Sequence, residues 1–295
     1  MMLAAIDIGS NAVRLLIMEA VTAKDGEVSY TKQNFLRVPL RLGSDVFNGG
    51  VITKPKVSDL TDTMKAFALL MRLHRVSHYK ACATSAMRDA RNRGEVVAGV
   101  ERESGLTVEV ISGDEEARLL YDALKAASGD EQKPCLFIDV GGGSTEISLF
   151  AGQQMRFRRS FDIGTIRMMQ GTVSPKEMDE MKKFVESRAA GDLKAVGTGG
   201  NIRKLHALAR LKRSQPLSLE VLKDFLASME GLTVEQRMAR HHLRPDRADV
   251  ILPALQIYVS LMHWGGIAEI YVPKIGLANG IITSLYLQYG TEPSS

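Results

Sequence analysis

The sequence IDIGSNAVRLLI at positions 6–17 recurs in modified form as IDVGGGSTEISLF at positions 138–150. In each copy an apolar, strand-like run ends in an aspartate, a glycine-rich turn with a serine follows, and a second apolar run begins. The two aspartates, Asp7 and Asp139, are 132 positions apart (139 − 7). Because this spacing is the length of a domain, the repeat predicts two related lobes, each presenting one hairpin to a shared cleft.

The composition is that of an average soluble globular protein. The chain has 295 residues, of which 45% are hydrophobic and 24% charged, and its net charge is +4 with a pI near 9.0. The charge is spread evenly, with 17 basic and 16 acidic residues in 1–125 and 21 and 18 in 126–295. A nucleic-acid-binding protein more often concentrates its basic residues on one element, so we expect no nucleic-acid partner.

The cysteines and the apolar segments predict a cytoplasmic protein. Cys82 and Cys135 lie in apolar runs without the spacing of zinc ligands, as expected of buried thiols in a reducing compartment. Asp7 and Arg14 interrupt the apolar N-terminus, which does not resemble a signal peptide. The longest later apolar run, residues 250–262, is too short to span a bilayer, so we expect no membrane partner.

The order of elements predicts an α/β protein with mixed sheets. Strand-like and helix-like segments alternate after a three-strand start in both halves. The polar stretch 129–134 is the best boundary, which gives lobes at 1–128 and 129–295.

The sequence also predicts the secondary structure of three further segments. We expect a strand over residues 28–42, a helix from about 87 to 104, and a last helix over 277–289. Whether the last helix packs on the second lobe or crosses back to the first is left open.

Three glycine-rich loops point to phosphate binding. Glycine lets the backbone approach a ligand with its N–H groups directed at phosphate oxygens, and serine and threonine hydroxyls add donors without bulk. The aspartates that end the strands, Asp7 and Asp139, are candidates to hold the Mg²⁺ that usually accompanies phosphates. One such loop would be weak evidence, but a repeated loop with its aspartate in register disfavours a purely structural reading. The loops are Gly9-Ser10-Asn11, Gly141-Gly142-Gly143-Ser144-Thr145 and Gly197-Thr198-Gly199-Gly200-Asn201.

Six segments along the chain carry a family resemblance: AAIDIGSNAVRLLI, ATSAMRDARN, ISGDEEARLLYDAL, FIDVGGGSTEISLF, AVGTGGNIRKL and RADVILPAL. Through them nearly the whole chain resembles the exopolyphosphatase and guanosine pentaphosphate phosphohydrolase family. The resemblance implies two actin-like lobes, as in sugar kinases, heat-shock chaperones and actin, with a ribonuclease H-like fold. It implies hydrolysis of a terminal phosphate from inorganic polyphosphate or guanosine pentaphosphate, usually with Mg²⁺. The discriminating motif is ISGDEEARL, which kinases and actin-like proteins lack.

The resemblance also implies roles for individual residues. The catalytic carboxylate of ISGDEEARL matches Glu116, which would act as general base toward a water molecule. Arg88 follows the Thr84-Ser85 loop, where the family places phosphate contacts, and Glu146 matches an acidic position that binds metal or orients water. Without the resemblance, Glu116 would be interpreted as a glutamate in the first turn of a helix and Arg88 as a solvated arginine. Glu146 would be interpreted as an ordinary strand glutamate.

Other residues near the motifs have less definite expectations. Asn11 is expected to shape the first turn, and Arg14 to reach either ligand or solvent. The basic stretch 237–247 reads as a solvated helix end rather than a path for a polyanion. Arg247 is the exception, because it opens the motif RADVILPAL.

The resemblance is to a short, two-domain form of the family. Longer members continue with a further helical region, whereas this sequence stops at Ser295, which leaves chain-length preference and homodimer formation open. Two rival functions also remain open. One is a polyphosphate-dependent phosphotransferase, and the other is a regulatory or actin-like protein that binds a nucleotide such as guanosine tetraphosphate with little turnover.

Overall fold

The computed structural model describes residues 1–23, 28–128, 133–152, 154–189, 193–212 and 214–290. The chain divides into two compact units. The first unit comprises Met1–Ser128 together with Ile275–Ser295, and the second comprises Gly129–Lys274. Most of the boundary stretch predicted from the sequence, residues 129–132, lies outside the described residues.

The elements of the first 128 residues begin with three consecutive strands. In chain order they are β1 (Met2–Ile8), β2 (Val13–Thr22), β3 (Val28–Val38), α1 (Leu42–Gly49), α2 (Lys54–Leu73), β4 (His78–Ala83), α3 (Ser85–Asp89), α4 (Arg93–Ser104), β5 (Val108–Val110) and α5 (Gly113–Ser128).

The remaining elements begin with a second run of three strands and then become mostly helical. They are β6 (Cys135–Val140), β7 (Thr145–Ala151), β8 (Gln154–Phe161), α6 (Thr165–Met169), α7 (Pro175–Glu186), β9 (Lys194–Thr198), α8 (Gly200–Leu208), β10 (Leu217–Ser218), α9 (Leu219–Met229), α10 (Val234–His241), α11 (Pro245–Ala248), α12 (Ile251–Trp264), β11 (Glu269–Tyr271) and α13 (Leu277–Tyr289).

The first sheet has the order β3-β2-β1-β4-β5 and is mixed. Strands β1, β2 and β3 form antiparallel hairpins, while β4 is parallel to β1 and β5 parallel to β4. The central strand β1 is buried on both faces, which explains its continuous apolar sequence. Ala4, Ile6 and Ile8 pack with α2 and α4 residues on one face, and Leu3 and Ala5 pack toward α5 and α13 on the other.

The second sheet repeats this plan. Its order is β10-β11-β9-β6-β7-β8, with antiparallel pairs β6–β7 and β7–β8 and a parallel pair β6–β9. A separate core surrounds it and includes the fully buried α12 residues Tyr258 and Leu261. The predicted mixed-sheet α/β architecture is therefore present in each unit.

The last helix belongs to the first unit. Helix α13 packs on α5 and β1, and Leu277, Ile281 and Ile282 are buried in the same cluster as Leu119. The first unit does end at Ser128, as the sequence predicts, and of the two packings left open for the last helix the structure has the one in which it returns to the first unit. The reason is a helix–helix contact that no local pattern reveals: an added Cβ on Gly280 would lie only 2.0 Å from the carbonyl oxygen of Leu119.

Two elements predicted from the sequence have different bounds in the structure. The strand expected over 28–42 ends at Val38, and a helix follows after Arg41 adopts a left-handed conformation with φ 56°. The helix expected from about 87 to 104 is split into α3 and α4. At the break, the Asn92 side chain accepts a hydrogen bond from Ile52 N (3.0 Å) and donates one to Ile52 O (2.9 Å). This tie between distant segments competes with continuation of the helix.

The described helices include none that is long and apolar enough to cross a membrane.

Candidate active site

The repeated sequence forms the same hairpin in both units. Gly9 N donates to Ala12 O at 3.2 Å, and Gly141 N donates to Ser144 O at 2.9 Å. In each hairpin the aspartate faces a charged residue of the neighbouring strand across the ladder. Asp7 pairs in register with Arg14, whereas Asp139 pairs with Glu146. The two copies therefore have the same backbone and opposite charge at one position.

In the first hairpin the aspartate is neutralised inside the protein. Arg14 Nη1 lies 2.6 Å from Asp7 Oδ2, and both side chains are largely buried. The structure thus places Arg14 on Asp7, rather than in solvent.

Ser10 joins the first loop to the segment after β4. Its hydroxyl oxygen accepts a hydrogen bond from Ala86 N at 3.2 Å and lies 3.3 Å from Ser85 Oγ. Ser10, Thr84 and Ser85 are all buried, so the structure brings these three predicted phosphate contacts together at the start of α3. The main-chain carbonyl of Asn11 accepts from Arg41 N at 3.1 Å, while its buried side-chain Oδ1 has no hydrogen-bond partner in the described structure.

The two residues predicted to be catalytic in the first unit contact each other. Arg88 Nη1 donates to Glu116 Oε2 at 3.1 Å and to Ile111 O at 3.0 Å. The side chains are 22% and 14% exposed, so the pair is neither fully buried nor freely solvated. Helix α3 presents Arg88 and the first turn of α5 presents Glu116. The alternative of a solvated arginine on a continuous helix is thereby removed.

In the second hairpin the carbonyl groups of the glycines are bound within the protein. Gly142 O accepts from Ile166 N at 2.8 Å, and Gly143 O accepts from Arg167 Nε at 2.8 Å. No described residue accepts a hydrogen bond from the N–H of Gly142 or Gly143. The carbonyl groups of Gly142 and Gly143 are thus held by hydrogen bonds, while their N–H groups can still donate. Such N–H groups can bind an anion.

Glu146 and Thr145 are both buried. Glu146 Oε1 accepts from Ser144 Oγ at 2.6 Å and from Ser160 Oγ at 3.0 Å, so this carboxylate orients Ser144. Thr145 is fully buried, and its hydroxyl donates to Ile163 O at 2.6 Å. Because that hydrogen is committed inside the protein, the structure assigns the Thr145 side chain to packing rather than to phosphate binding.

The third loop has one packing glycine and two that face polar groups. Gly197 lies within β9, and an added Cβ would lie 2.9 Å from Ile270 Cδ1, so this glycine serves packing rather than the predicted phosphate contact. Gly199 has φ 99°, which favours glycine, and its added Cβ would lie 2.9 Å from Asp139 Oδ1. The third loop is therefore adjacent to the aspartate of the second hairpin. Thr198 Oγ1 is buried and has no hydrogen-bond partner in the described structure.

Two hydrogen-bonded side chains, Arg247 and Tyr258, lie at the start of α8. Arg247 Nη1 donates to Asn201 Oδ1 at 2.8 Å, and a Cβ on Gly200 would lie 2.4 Å from Arg247 Nη2. The guanidinium therefore lies directly on the helix N-terminus, a position that favours anions. Tyr258 donates to Thr198 O at 2.7 Å, and burial, with the nearby Asp139 charge, raises the pKa of Tyr258, so its hydroxyl stays a donor.

The carboxylates fit a Mg²⁺ ion that arrives with phosphate, rather than one held by a protein cage. The described residues contain no group of three or more histidine, cysteine, aspartate or glutamate side chains that could hold a metal ion. Mg²⁺ is commonly bound by one or two carboxylates together with waters and substrate phosphates. Asp139 meets this requirement in the second unit, beside the N–H groups of its loop. Asp7 is the corresponding carboxylate of the first unit, and Arg14 lies on one of its oxygens.

With this geometry in place, comparison with known proteins identifies the family. The sequence profile of the Ppx/GppA phosphatase family matches residues 27–289. The chain belongs to the Ppx/GppA phosphatase family. This membership confirms the predicted recognition and the predicted enzyme class, a hydrolase of phosphoanhydride bonds.

Individual Ppx/GppA relatives match most of the chain. Exopolyphosphatase 1 of Mycobacterium tuberculosis is 26% identical over 96% of this chain and 87% of its own length. The guanosine-5'-triphosphate,3'-diphosphate pyrophosphatase of Aeromonas hydrophila is 23% identical over 96% of this chain and 59% of its own length. The crystal structure of the Aquifex aeolicus Ppx/GppA family member has 27% identity and a TM-score of 0.78, and the match covers 99% of both chains. The predicted α/β fold of two actin-like lobes is confirmed.

Sequence reasoning missed two residues that shape the second Ppx/GppA hairpin. Gly164 lies so close to the loop that an added Cβ would be 2.4 Å from Gly142 O. Arg167 holds Gly143 O, as described above. A signal was present, because the sequence Asp162-Ile163-Gly164 repeats the Asp7-Ile8-Gly9 triplet of the first hairpin.

Proposed function

We propose that this protein is a phosphohydrolase that releases the terminal phosphate of inorganic polyphosphate or guanosine pentaphosphate. The names of its relatives, an exopolyphosphatase and a guanosine-5'-triphosphate,3'-diphosphate pyrophosphatase, support this substrate class. The observation that carries the proposal is the contact between Arg88 and Glu116 at the start of α5. It puts a carboxylate that can accept a proton beside a guanidinium that can bind an anionic substrate.

Glu116 is the general base of the proposed reaction. A base must lie within hydrogen-bond reach of the attacking water, and proton removal is typically worth about 10² to 10⁴ in rate. A carboxylate offers about four lone-pair sites, so the bond from Arg88 at 3.1 Å does not exhaust its capacity to accept. Arg88 instead fixes the orientation of the carboxylate.

Charge neutralisation supplies the rest of the proposed catalysis. In phosphoryl transfer, negative charge is spread over the oxygens of the transferred group, and positioned donors stabilise it. In the first unit the donor is Arg88. In the second unit the N–H groups of Gly142 and Gly143, and Arg247 at the start of α8, have the chemistry to bind phosphate.

Mg²⁺ is part of the proposal, with Asp139 as the candidate ligand in the second unit and Asp7 as the candidate in the first. When bound, Mg²⁺ would neutralise phosphate charge. Glu146 orients Ser144 in the same hairpin as Asp139 and is assigned to that role.

The test is phosphate release from long polyphosphate, short polyphosphate and guanosine pentaphosphate in the presence of Mg²⁺. Wild type is compared with Glu116→Gln and with Glu103→Gln, an exposed glutamate of the same unit that pairs with Lys65. We expect release by wild type and Glu103→Gln, and a loss of about 10² or more in Glu116→Gln. Full activity of Glu116→Gln would sink the assignment of the base.

Two further outcomes would favour the rival functions. Formation of ATP from polyphosphate and ADP, without release, would indicate a phosphotransferase. Binding of guanosine tetraphosphate without release from any substrate would indicate a regulatory protein.

A further inference from the structure

Two ion pairs join the β4–α3 segment to the first turn of α5. The first is Arg88 with Glu116, described above. The second is Lys80 with Glu115, in which Lys80 Nζ lies 3.0 Å from Glu115 Oε1. Lys80 lies on β4, the strand that leads through Thr84 to α3 and Arg88. Consecutive acidic residues of one helix are therefore held by two basic residues of the neighbouring segment.

Lys80 is itself held in place. Its ammonium group also contacts Glu109 Oε2 on β5 at 2.9 Å, and its side chain is 26% exposed. Burial lowers the pKa of Lys80, but hydrogen bonds to Glu109 and Glu115 raise it by more, so the net shift is upward. The group is therefore a permanent cation near neutral pH.

Glu115 is anchored through both its side chain and its backbone. Its side chain is 29% exposed and pairs with Lys80, while its N–H donates to Ser112 Oγ at 3.1 Å. Successive residues of an α-helix are rotated by about 100° around the axis. Fixing Glu115 against the sheet therefore fixes the rotation of α5, and with it the direction in which Glu116 points.

We propose that Lys80 is a positioning residue for Glu116, acting through Glu115. The proposal rests on the proposed function, because it assumes that Glu116 is the base. Within the described parts of the chain, the ion pairs of Lys80 are with Glu109 and Glu115 and none is with a predicted phosphate-binding residue, so its effect falls on the chemical step rather than on substrate binding. A misplacement of about 1 Å is enough to cost a reaction up to about 10²-fold in rate.

The experiment compares kcat and KM for phosphate release by wild type, Lys80→Met and Lys80→Arg. We expect Lys80→Met to lower kcat about tenfold with KM changed less than about twofold, and Lys80→Arg to restore most of kcat because it keeps the charge. The control is Lys65→Met, which removes a lysine of the same unit that pairs with Glu103 and lies away from α5. It should leave kcat unchanged. Thermal unfolding shows whether both methionine variants remain folded at the assay temperature.

Combination with Glu116→Gln separates positioning from a general structural effect. With no base to position, Lys80→Met should add no further loss of rate to Glu116→Gln, whereas a general defect would still add its own loss. A wild-type kcat in Lys80→Met, or a fully additive double variant, overturns the positioning role alone. Full activity of Glu116→Gln, or no release by wild type, overturns the proposed function and this inference with it.

Discussion

Arg88 and Glu116 form an ion pair of 3.1 Å whose arginine is fixed by a second bond from the same nitrogen. Nη1 of Arg88 also donates to Ile111 O at 3.0 Å, just before α5 begins. The guanidinium therefore joins the loop and the helix that follows it. Arg88 lies on α3 and Glu116 on α5. Their ion pair therefore holds the predicted charge-stabilising arginine next to the predicted base.

Replacing Arg88 should impair catalysis more than folding. We expect Arg88→Met to lower kcat by about 10² to 10³, the range for loss of one positioned donor to a developing anion. Arg88→Lys should recover only part of this, because an ammonium cannot reproduce the planar fork of a guanidinium. Steady-state phosphate release measures both effects, and Arg102→Met, at an exposed position of α4, is the control. A Met variant with normal kcat would remove Arg88 from the mechanism.

Much of the first unit follows from local sequence. Strand β1 is buried on both faces and reads as one apolar run, and the glycine turn after it is repeated in the second unit. The clustering of Thr84, Ser85 and Arg88 is also predictable, because β4 is parallel to β1 and both strands end at the same edge of the sheet.

The remainder depends on contacts between residues far apart in sequence. No local pattern indicates that Asn92 will bind the backbone of Ile52, which breaks the predicted helix, or that Gly280 will meet Leu119. Thr145 illustrates a different limit. It follows Ser144 and begins a strand, so its side chain points to the opposite face and into the core, which composition alone does not reveal.

The opposite charges facing the two hairpin aspartates predict unequal roles in Mg²⁺ binding. Asp7 faces Arg14, whereas Asp139 faces Glu146, so a cation is attracted more strongly to the second hairpin. We expect Asp139→Asn to raise the Mg²⁺ concentration for half-maximal phosphate release by about tenfold or more, and Asp7→Asn by less than about threefold. The measurement is a Mg²⁺ titration of activity. Asp224→Asn, at an exposed position of α9, should match wild type. Equal shifts for Asp7→Asn and Asp139→Asn would contradict this reasoning.

The buried thiol of Cys82 should react slowly with thiol reagents in the folded protein. It should also cause the free energy of unfolding to decrease at alkaline pH. Burial raises the pKa of the Cys82 thiol from 9.0 to about 12. Above about pH 9 the unfolded chain loses this proton while the folded chain keeps it, so the free energy of unfolding decreases as pH rises. The contribution is at most about 1.4 kcal/mol per pH unit.

Urea unfolding of wild type and Cys82→Ala between pH 8 and pH 10 tests this expectation. We expect a shallower decline in the variant, although Cys82→Ala is less stable throughout because it leaves a small cavity. Thiol-reactive reagents should not label Cys82 at pH 8 unless the protein is unfolded. Rapid labelling of the folded protein, or parallel pH profiles for the two proteins, would show that the thiol is not protected as the structure implies.

Gly280 should be required for the docking of α13 on α5. An added Cβ would lie 2.0 Å from Leu119 O and 2.5 Å from Leu119 C, and backbone atoms cannot yield without moving a helix. We expect Gly280→Ala to lower the free energy of unfolding by about 1–3 kcal/mol, the usual cost of overpacking. Because Leu119 is three residues after Glu116 on α5, a displaced helix should also lower kcat.

The matched control is Gly99→Ala in α4, where an added Cβ meets nothing within 4 Å. In that open helical position alanine should raise the free energy of unfolding by about 0.5–1 kcal/mol, since it favours the helix over glycine. Glycine-to-alanine substitution is thus expected to lower the free energy of unfolding at Gly280 and to raise it at Gly99, although both positions are helical and lie in the same unit. Urea midpoints of the two variants measure the difference, and a stabilised Gly280→Ala protein would mean that α13 does not approach α5 as closely as the structure places it.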